Sequence, residues 1–291
     1  AFQPADFVRR RNLWFWVTLT AFLAHSFWLY MMIAGALLYF SGRSEQNKLA
    51  LYLLVLFAVP PYRAEIWGFG VMNFVFAIDH PRLLALVVLL PAYLHLRQQA
   101  GVERFGNNWS DKFMAGYLIL QFILIYPAST ATNVIRVAVF YPFIDVFLPY
   151  YVASRSLRTL QDFREALMAF AIAALLLSAI AVFEYSRFWL IYEPLKHSLD
   201  VRSKLTNYLG RGEDLRAVAT PGDAIVLGYV LAIGIGFFLY LRTLIPSSRI
   251  WKLGMSLLVA GLICPLSRGP WVGAGVMVLI FVLTGPHRTR D

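Results

Sequence analysis

The sequence predicts an all-α fold: a polytopic membrane bundle of roughly eight to ten spanning helices. Three observations carry that reading. Of the 291 residues, 59% are hydrophobic and only 14% charged, where a soluble chain carries about 25% charged residues. Apolar runs near bilayer length recur from one end of the chain to the other, and such runs belong in lipid. The runs are continuous rather than alternating, which favours helices over barrel strands, the two structures that satisfy every backbone group in hydrocarbon.

The basic residues fall between the apolar runs. Net charge is +10, and its placement reads as a set of cytoplasmic loops under the positive-inside rule. A nucleic-acid partner would need a basic face on a soluble fold, and the sequence shows none. Cys264 is the single cysteine, so no disulfide framework or cysteine metal site forms within one chain, and it reads as a small buried apolar residue. No His-x-x-x-His pair or acidic cluster suggests a metal. A Gly-x-x-x-x-Gly-Lys phosphate loop and a serine-hydrolase elbow are also missing. The expectation is a protein without metal or cofactor.

Taken in order, Arg9, Arg10 and Arg11 precede an apolar run over 13–40. That length exceeds one upright span, so it is either a tilted helix or an interfacial piece followed by a span. No cleavage pattern follows, so it is not a removable signal peptide. A run over 49–59 is closed by Pro60 and Pro61. The mixed stretch 62–81 has an apolar centre, 66–78, read as a re-entrant or interfacial helix. Spans follow at 83–96, 113–126, 134–151, 166–183, 217–241, 253–262 and 271–283. The basic stretches 101–112, 154–164 and 242–252 read as cytoplasmic, which puts 127–133, 184–215 and 267–270 on the opposite side. Pass parity before residue 101 stays open.

The external loop 184–215 and the residues after it hold the candidate chemistry. The loop carries Arg187, Lys196, His197, Arg202, Lys204 and Arg211, whereas external loops are normally poor in basic residues. An anionic ligand outside the membrane accounts for the exception; a solvated loop paired internally through Glu184, Glu193, Asp200, Glu213 and Asp214 is the alternative. Phe188, Trp189 and Tyr192 suit a helix lying in the interface. Arg216 is expected to open a helix that Pro221 and Gly222 loosen, placing Asp223 roughly 10 Å deeper, where a carboxylate needs a partner such as Arg216 or Arg268. Pro265 and Pro270 bracket Arg268 and break the helix there. Ser267 is then an N-cap, and Arg268 sits at a helix N-terminus that favours an anion. Arg136 lies near the external end of its span, where it either snorkels or binds ligand. Asp145 lies roughly 13.5 Å further in, as a helix–helix hydrogen-bonding residue or part of a pathway. His197 is the one candidate base; His25 and His95 read as packing or boundary residues.

Two motifs carry a family resemblance. Arg216-Ala-Val-Ala-Thr-Pro-Gly-Asp-Ala-Ile-Val-Leu-Gly-Tyr229, then a span pair, then Ser267-Arg268-Gly-Pro-Trp-Val-Gly-Ala274, resembles the core of the O-antigen ligase and polysaccharide polymerase family. Phe140-Tyr-Pro-Phe-Ile-Asp145-Val-Phe-Leu-Pro-Tyr-Tyr-Val-Ala-Ser-Arg155 resembles its exopolysaccharide members. The similarity covers about 136–291; the first hundred residues match in hydropathy alone. Two departures stand out. The family usually has glycine where this chain has Ala219, and histidine or asparagine where it has Asp223. Its members also continue with further spans and a large external loop supplying an arginine and a histidine, which have no counterpart here.

The resemblance implies one membrane domain over 1–291, with N-terminal helices at 1–130 and the first part of a ligase-like core at 216–291. It implies a metal-independent, GT-C-like glycosyltransferase of the bacterial inner membrane, with its site facing the periplasm. The donor would be a glycan on undecaprenyl pyrophosphate, and the acceptor a sugar hydroxyl, in polymerisation or ligation. Arg216 and Arg268 would be catalytic pyrophosphate ligands, with Arg136, Arg187, Arg211, Asp223 and His197 as secondary substrate contacts. The bilayer and other polysaccharide-assembly proteins would be its partners. The rival readings are a transporter or flippase for an anionic lipid-linked glycan and a non-catalytic structural subunit.

Overall fold

A computed structural model describes residues 4–68, 74–201 and 203–284. Among them the chain is mostly helical, with eleven helices. Helices α1 (Pro4–Leu23) and α2 (Phe27–Arg43) are joined by a three-residue turn, and α3 is Lys48–Val55. A hairpin of β1 (Ala64–Trp67) and β2 (Phe74–Ile78) follows. The helix α4 runs through 80–98 with a π-helical turn at Ala85–Leu89. Next come α5 (Trp109–Ile125), α6 (Ala131–Ser156) and α7 (Leu160–Arg187). The short α8 (Leu195–Ser198) and a second hairpin of β3 (Gly210–Arg211) and β4 (Asp214–Leu215) lead to α9 (Ala224–Leu244), α10 (Ser248–Ile263) and α11 (Arg268–Thr284).

Three of these helices, α6, α7 and α9, are long and apolar enough to cross a membrane, and α11 is a shorter apolar helix. The apolar run 13–40 is not one tilted helix: it breaks at Ala24-His25-Ser26 into α1 and α2. The two are antiparallel, since Arg10 near the start of α1 meets Glu45 just beyond α2.

Polar contacts define the two ends of the bundle. At the proximal end, where α1 begins, Arg10 grips Glu45 at 2.7 and 3.1 Å and reaches Glu165 at 3.3 Å. The Asn47 amide donates to the Asp162 carbonyl. Arg155 at the close of α6 makes a bidentate pair with Asp111, at 2.8 and 2.5 Å. Such fork-to-carboxylate pairs fix geometry as well as energy. Asp111 lies in the first turn of α5, before the apolar stretch, and the Arg155 guanidinium holds its carboxyl down at about 2. At the distal end, Phe27 N–H donates to the Leu199 carbonyl, Tyr62 to the Tyr192 carbonyl, and Thr220 to the Phe57 carbonyl.

The stretch 66–78 is a correction. It forms two antiparallel strands, not a re-entrant or interfacial helix, with residues 69–73 outside the described set. Its aromatic and β-branched residues suit strands, and Asp79 then caps the start of α4 by accepting from Arg82 N–H. Arg82 pairs bidentately with Asp145 and lies 3.7 Å over the Tyr141 ring. Asp145 is thus an interhelical tie. His80, fully buried, links Tyr30 of α2 to the Val55 carbonyl.

Helix α7 is the axis of the C-terminal half and packs against α3, α9 and α10. Small residues let the backbones approach, as in membrane bundles generally. A Cβ at Gly261 of α10 would stand 2.6 Å from the Ser178 side chain of α7. Gly261→Leu should therefore overpack this seam, costing about 1–3 kcal/mol and lowering the melting temperature of the purified protein. Acid offers a second check. The Asp111 carboxyl titrates below its ordinary 3.8, so its stabilising contribution is complete above 3.8 and is lost as pH falls from there towards 2. Melting curves of Asp111→Asn should lack that portion of the acid slope.

Candidate functional site

Build the distal pocket from its loop upward. The two-residue strands β3 and β4 pair Gly210 with Leu215 and Arg211 with Asp214, and Gly212 makes the turn at φ +68°. Arg216 N–H donates to the Leu209 carbonyl. This miniature hairpin therefore brings Arg211 and Arg216 to the same place. Both reach across to the turn between α10 and α11. Arg211 Nη1 donates to the Leu266 carbonyl at 2.5 Å; Arg216 Nε donates to the Pro265 carbonyl at 3.0 Å and its Nη2 to Ser267 Oγ at 2.8 Å. Leu266 is left-handed, with φ +51°. The acceptors lie just past the C-terminus of α10, where the helix dipole favours cations.

Arg268 opens α11 from the other side of the same turn. It is exposed and makes no side-chain hydrogen bond or ion pair among the described residues. Arg211, Arg216, Tyr229, Ser267 and Arg268 share one cavity of about 500 Å³, and none of its lining residues is acidic. A Cβ at Gly228 would stand 2.7 Å from Pro270 Cγ, so the glycine is what lets the first turn of α11 lean on α9. A Cβ at Gly269 would lie 3.0 Å from the Tyr229 hydroxyl, which places that hydroxyl beside Arg268.

Three arginines and no acidic residue line this one opening. The first turn of α11 adds backbone N–H groups and a dipole of the same sign.

The chain just after Arg216 is held by a residue whose role the sequence does not disclose. Glu184, fully buried near the end of α7, accepts from three backbone N–H groups: Ile191 at 3.2 Å, Val218 at 3.0 Å and Ala219 at 2.8 Å. Ala219 is left-handed at φ +43°, so the successive N–H groups of 218 and 219 close into a nest around one carboxylate oxygen. Ala219 is also the position at which the family this chain resembles usually has glycine. A left-handed alanine costs of order 1 kcal/mol, here offset by the two hydrogen bonds that the Glu184 carboxyl accepts. A glutamate at the end of an apolar helix was the signal, and it read instead as one half of a surface ion pair.

The other expected site residues go elsewhere. Arg216 does not open a helix; it lies in extended chain after β4, eight residues before α9. Asp223 is neither deep nor paired with an arginine. It is the N-cap of α9, accepting from Ile225 and Val226 N–H at 2.8 and 3.1 Å, which satisfies donors that would otherwise be orphaned. Arg136 belongs to the first hairpin: it donates to the Phe74 carbonyl and Asn133, and lies 3.7 Å over the Phe74 ring. Arg187 ends α7 in the open and does not line the cavity. His197 is 85% exposed on α8, beside Glu193 at 3.8 Å, and does not line it either. Phe188, Trp189 and Tyr192 do not share an interfacial helix. Phe188 is the left-handed cap of α7, Trp189 is exposed and Tyr192 is buried. Arg202 lies outside the described residues, as do 285–291.

No protein-family model, no curated protein and no solved structure matches the chain.

Glu184→Ala should leave three buried N–H groups without an acceptor, costing at least about 1–3 kcal/mol, and should free the 216–222 segment. Hydrogen exchange of the Val218 and Ala219 amides is the measurement, and both should exchange faster than in the parent protein.

Proposed function

We propose that the cavity binds the diphosphate of a membrane lipid, and that the chain is a glycosyltransferase of polysaccharide assembly, moving a glycan from undecaprenyl pyrophosphate to a sugar hydroxyl. The observation that carries this reading is the convergence of Arg211, Arg216 and Arg268 on one opening without a carboxylate. Negative charge grows on a diphosphate as the anomeric C–O bond breaks, and fixed guanidinium groups stabilise that charge without reorganising. The resemblance of the two arginine motifs to the O-antigen ligase and polymerase core supports the same reading.

The membrane arrangement that goes with it has roughly eight to ten crossings in a GT-C-like bundle. The proximal end, with its basic loops, faces the cytoplasm. The cavity opens at the distal end, in the periplasmic leaflet of a bacterial inner membrane, where such a donor lipid presents its diphosphate.

A transporter or flippase for an anionic lipid-linked glycan is the second reading. One observation favours it: among the described lining residues neither a carboxylate nor an imidazole is present to take a proton from an acceptor hydroxyl.

The deciding experiment incubates the purified protein in lipid nanodiscs with a lipid-linked oligosaccharide and an acceptor glycan. Extension of the acceptor with release of undecaprenyl pyrophosphate is the expected outcome. Arg268→Ala should lower the rate about 100-fold or more, as removal of a preorganised charge stabiliser does. Binding without transfer favours the transporter. Full turnover by Arg268→Ala removes Arg268 from the mechanism.

A further inference from the structure

A second site lies at the opposite end of the molecule, along α5. This helix is tied to the bundle at its first turn, where Asp111 meets Arg155 and the Tyr150 hydroxyl. Asp111 is also its one buried residue. Beyond that point α5 packs against α6, and between the two runs an apolar cleft of about 450 Å³. Leu118, Ile119 and Phe122 line one wall; Val139, Phe143 and Phe147 line the other. The α6 wall is built from two π-helical turns, Ile135–Phe140 and Phe143–Phe147, on either side of Pro142. Widened turns of this kind recur at functional sites.

Towards the proximal end the cleft changes character. Tyr93 and Phe147 line it and also line a second cavity of about 460 Å³, so the two share a wall. The second cavity carries Arg97 from the last turn of α4 and Arg104 from the loop after it. Both arginines are exposed, and neither has an ion pair or side-chain hydrogen bond among the described residues. Glu103 borders the same cavity, but its two carboxylate oxygens are taken by the Asn107 and Asn108 amides at 2.9 and 2.7 Å.

An apolar slot that ends in two unpaired guanidinium groups has the shape and charge of one ligand class. A free phosphate would use the arginines and leave the slot empty. A neutral hydrocarbon would use the slot and ignore the arginines. We propose that this composite cleft binds one anionic phospholipid, with an acyl chain between α5 and α6 and its headgroup phosphate between Arg97 and Arg104. The site is separate from the distal cavity and does not depend on what that cavity does. Its occupant belongs to the leaflet at the proximal end.

The test uses the whole protein in detergent, with native mass spectrometry to count retained lipids. The probes are phosphatidylglycerol and phosphatidylcholine with identical acyl chains. Phosphatidylglycerol should be retained roughly tenfold better, given two basic residues near the membrane surface. The double variant Arg97→Gln, Arg104→Gln should abolish that preference, lowering phosphatidylglycerol retention to the level of phosphatidylcholine. Val139→Trp, at an exposed position of the cleft wall, should reduce retention of both lipids. Equal retention of the two lipids by the unmodified protein overturns the proposal. So does a preference that survives the double arginine change, or lipid retention that Val139→Trp leaves intact.

Discussion

The Glu184 carboxylate has no arginine against it. Three backbone N–H groups hold it instead, and the arrangement of the distal end follows from that. A buried carboxylate facing a guanidinium would form an ion pair and cancel its charge. Held by amides, Glu184 fixes the backbone of 218 and 219 and leaves Arg216 to the α10–α11 turn. The same constraint explains why a left-handed alanine is tolerated at 219: the strain is local, while the hydrogen bonds it permits are buried.

The arginines of the chain sort by their partners. Arg10, Arg82 and Arg155 are each buried and each locked on a carboxylate, Glu45, Asp145 and Asp111 in turn. They tie helices together, and removing either member of such a pair leaves an uncompensated charge. Arg211 and Arg216 rest on carbonyls and a hydroxyl, which orient a guanidinium without neutralising it. Arg268 has a helix N-terminus behind it and an open cavity in front. That difference in partners, rather than the number of arginines, separates the framework from the distal cavity.

Much of this was legible in the residues. Two arginine motifs bracketing one pair of apolar runs must return to the same end of a helical bundle, and Arg216 and Arg268 do line one cavity. Other features were not legible for physical reasons. The stretch 66–78 is apolar nearly throughout, so its periodicity does not separate strand from helix. The partner of Asp145 is Arg82, 63 residues away, and only the packing of α4 on α6 brings them together. Glu184 looks like a surface acid because its acceptors are backbone groups, which no sequence pattern marks. Asp223 is different. An acidic residue directly before an apolar run is an ordinary N-cap signal, and the pull of nearby arginines obscured it.

We propose that Arg211, Arg216 and Arg268 together grip one diphosphate at the distal end. An experimental structure of the protein in nanodiscs with a polyprenyl diphosphate bound tests it most directly. The account predicts phosphate density within hydrogen-bonding distance of Arg268 and of at least one of Arg211 and Arg216, at the first turn of α11. Density for the diphosphate elsewhere, with that cavity empty, would contradict it.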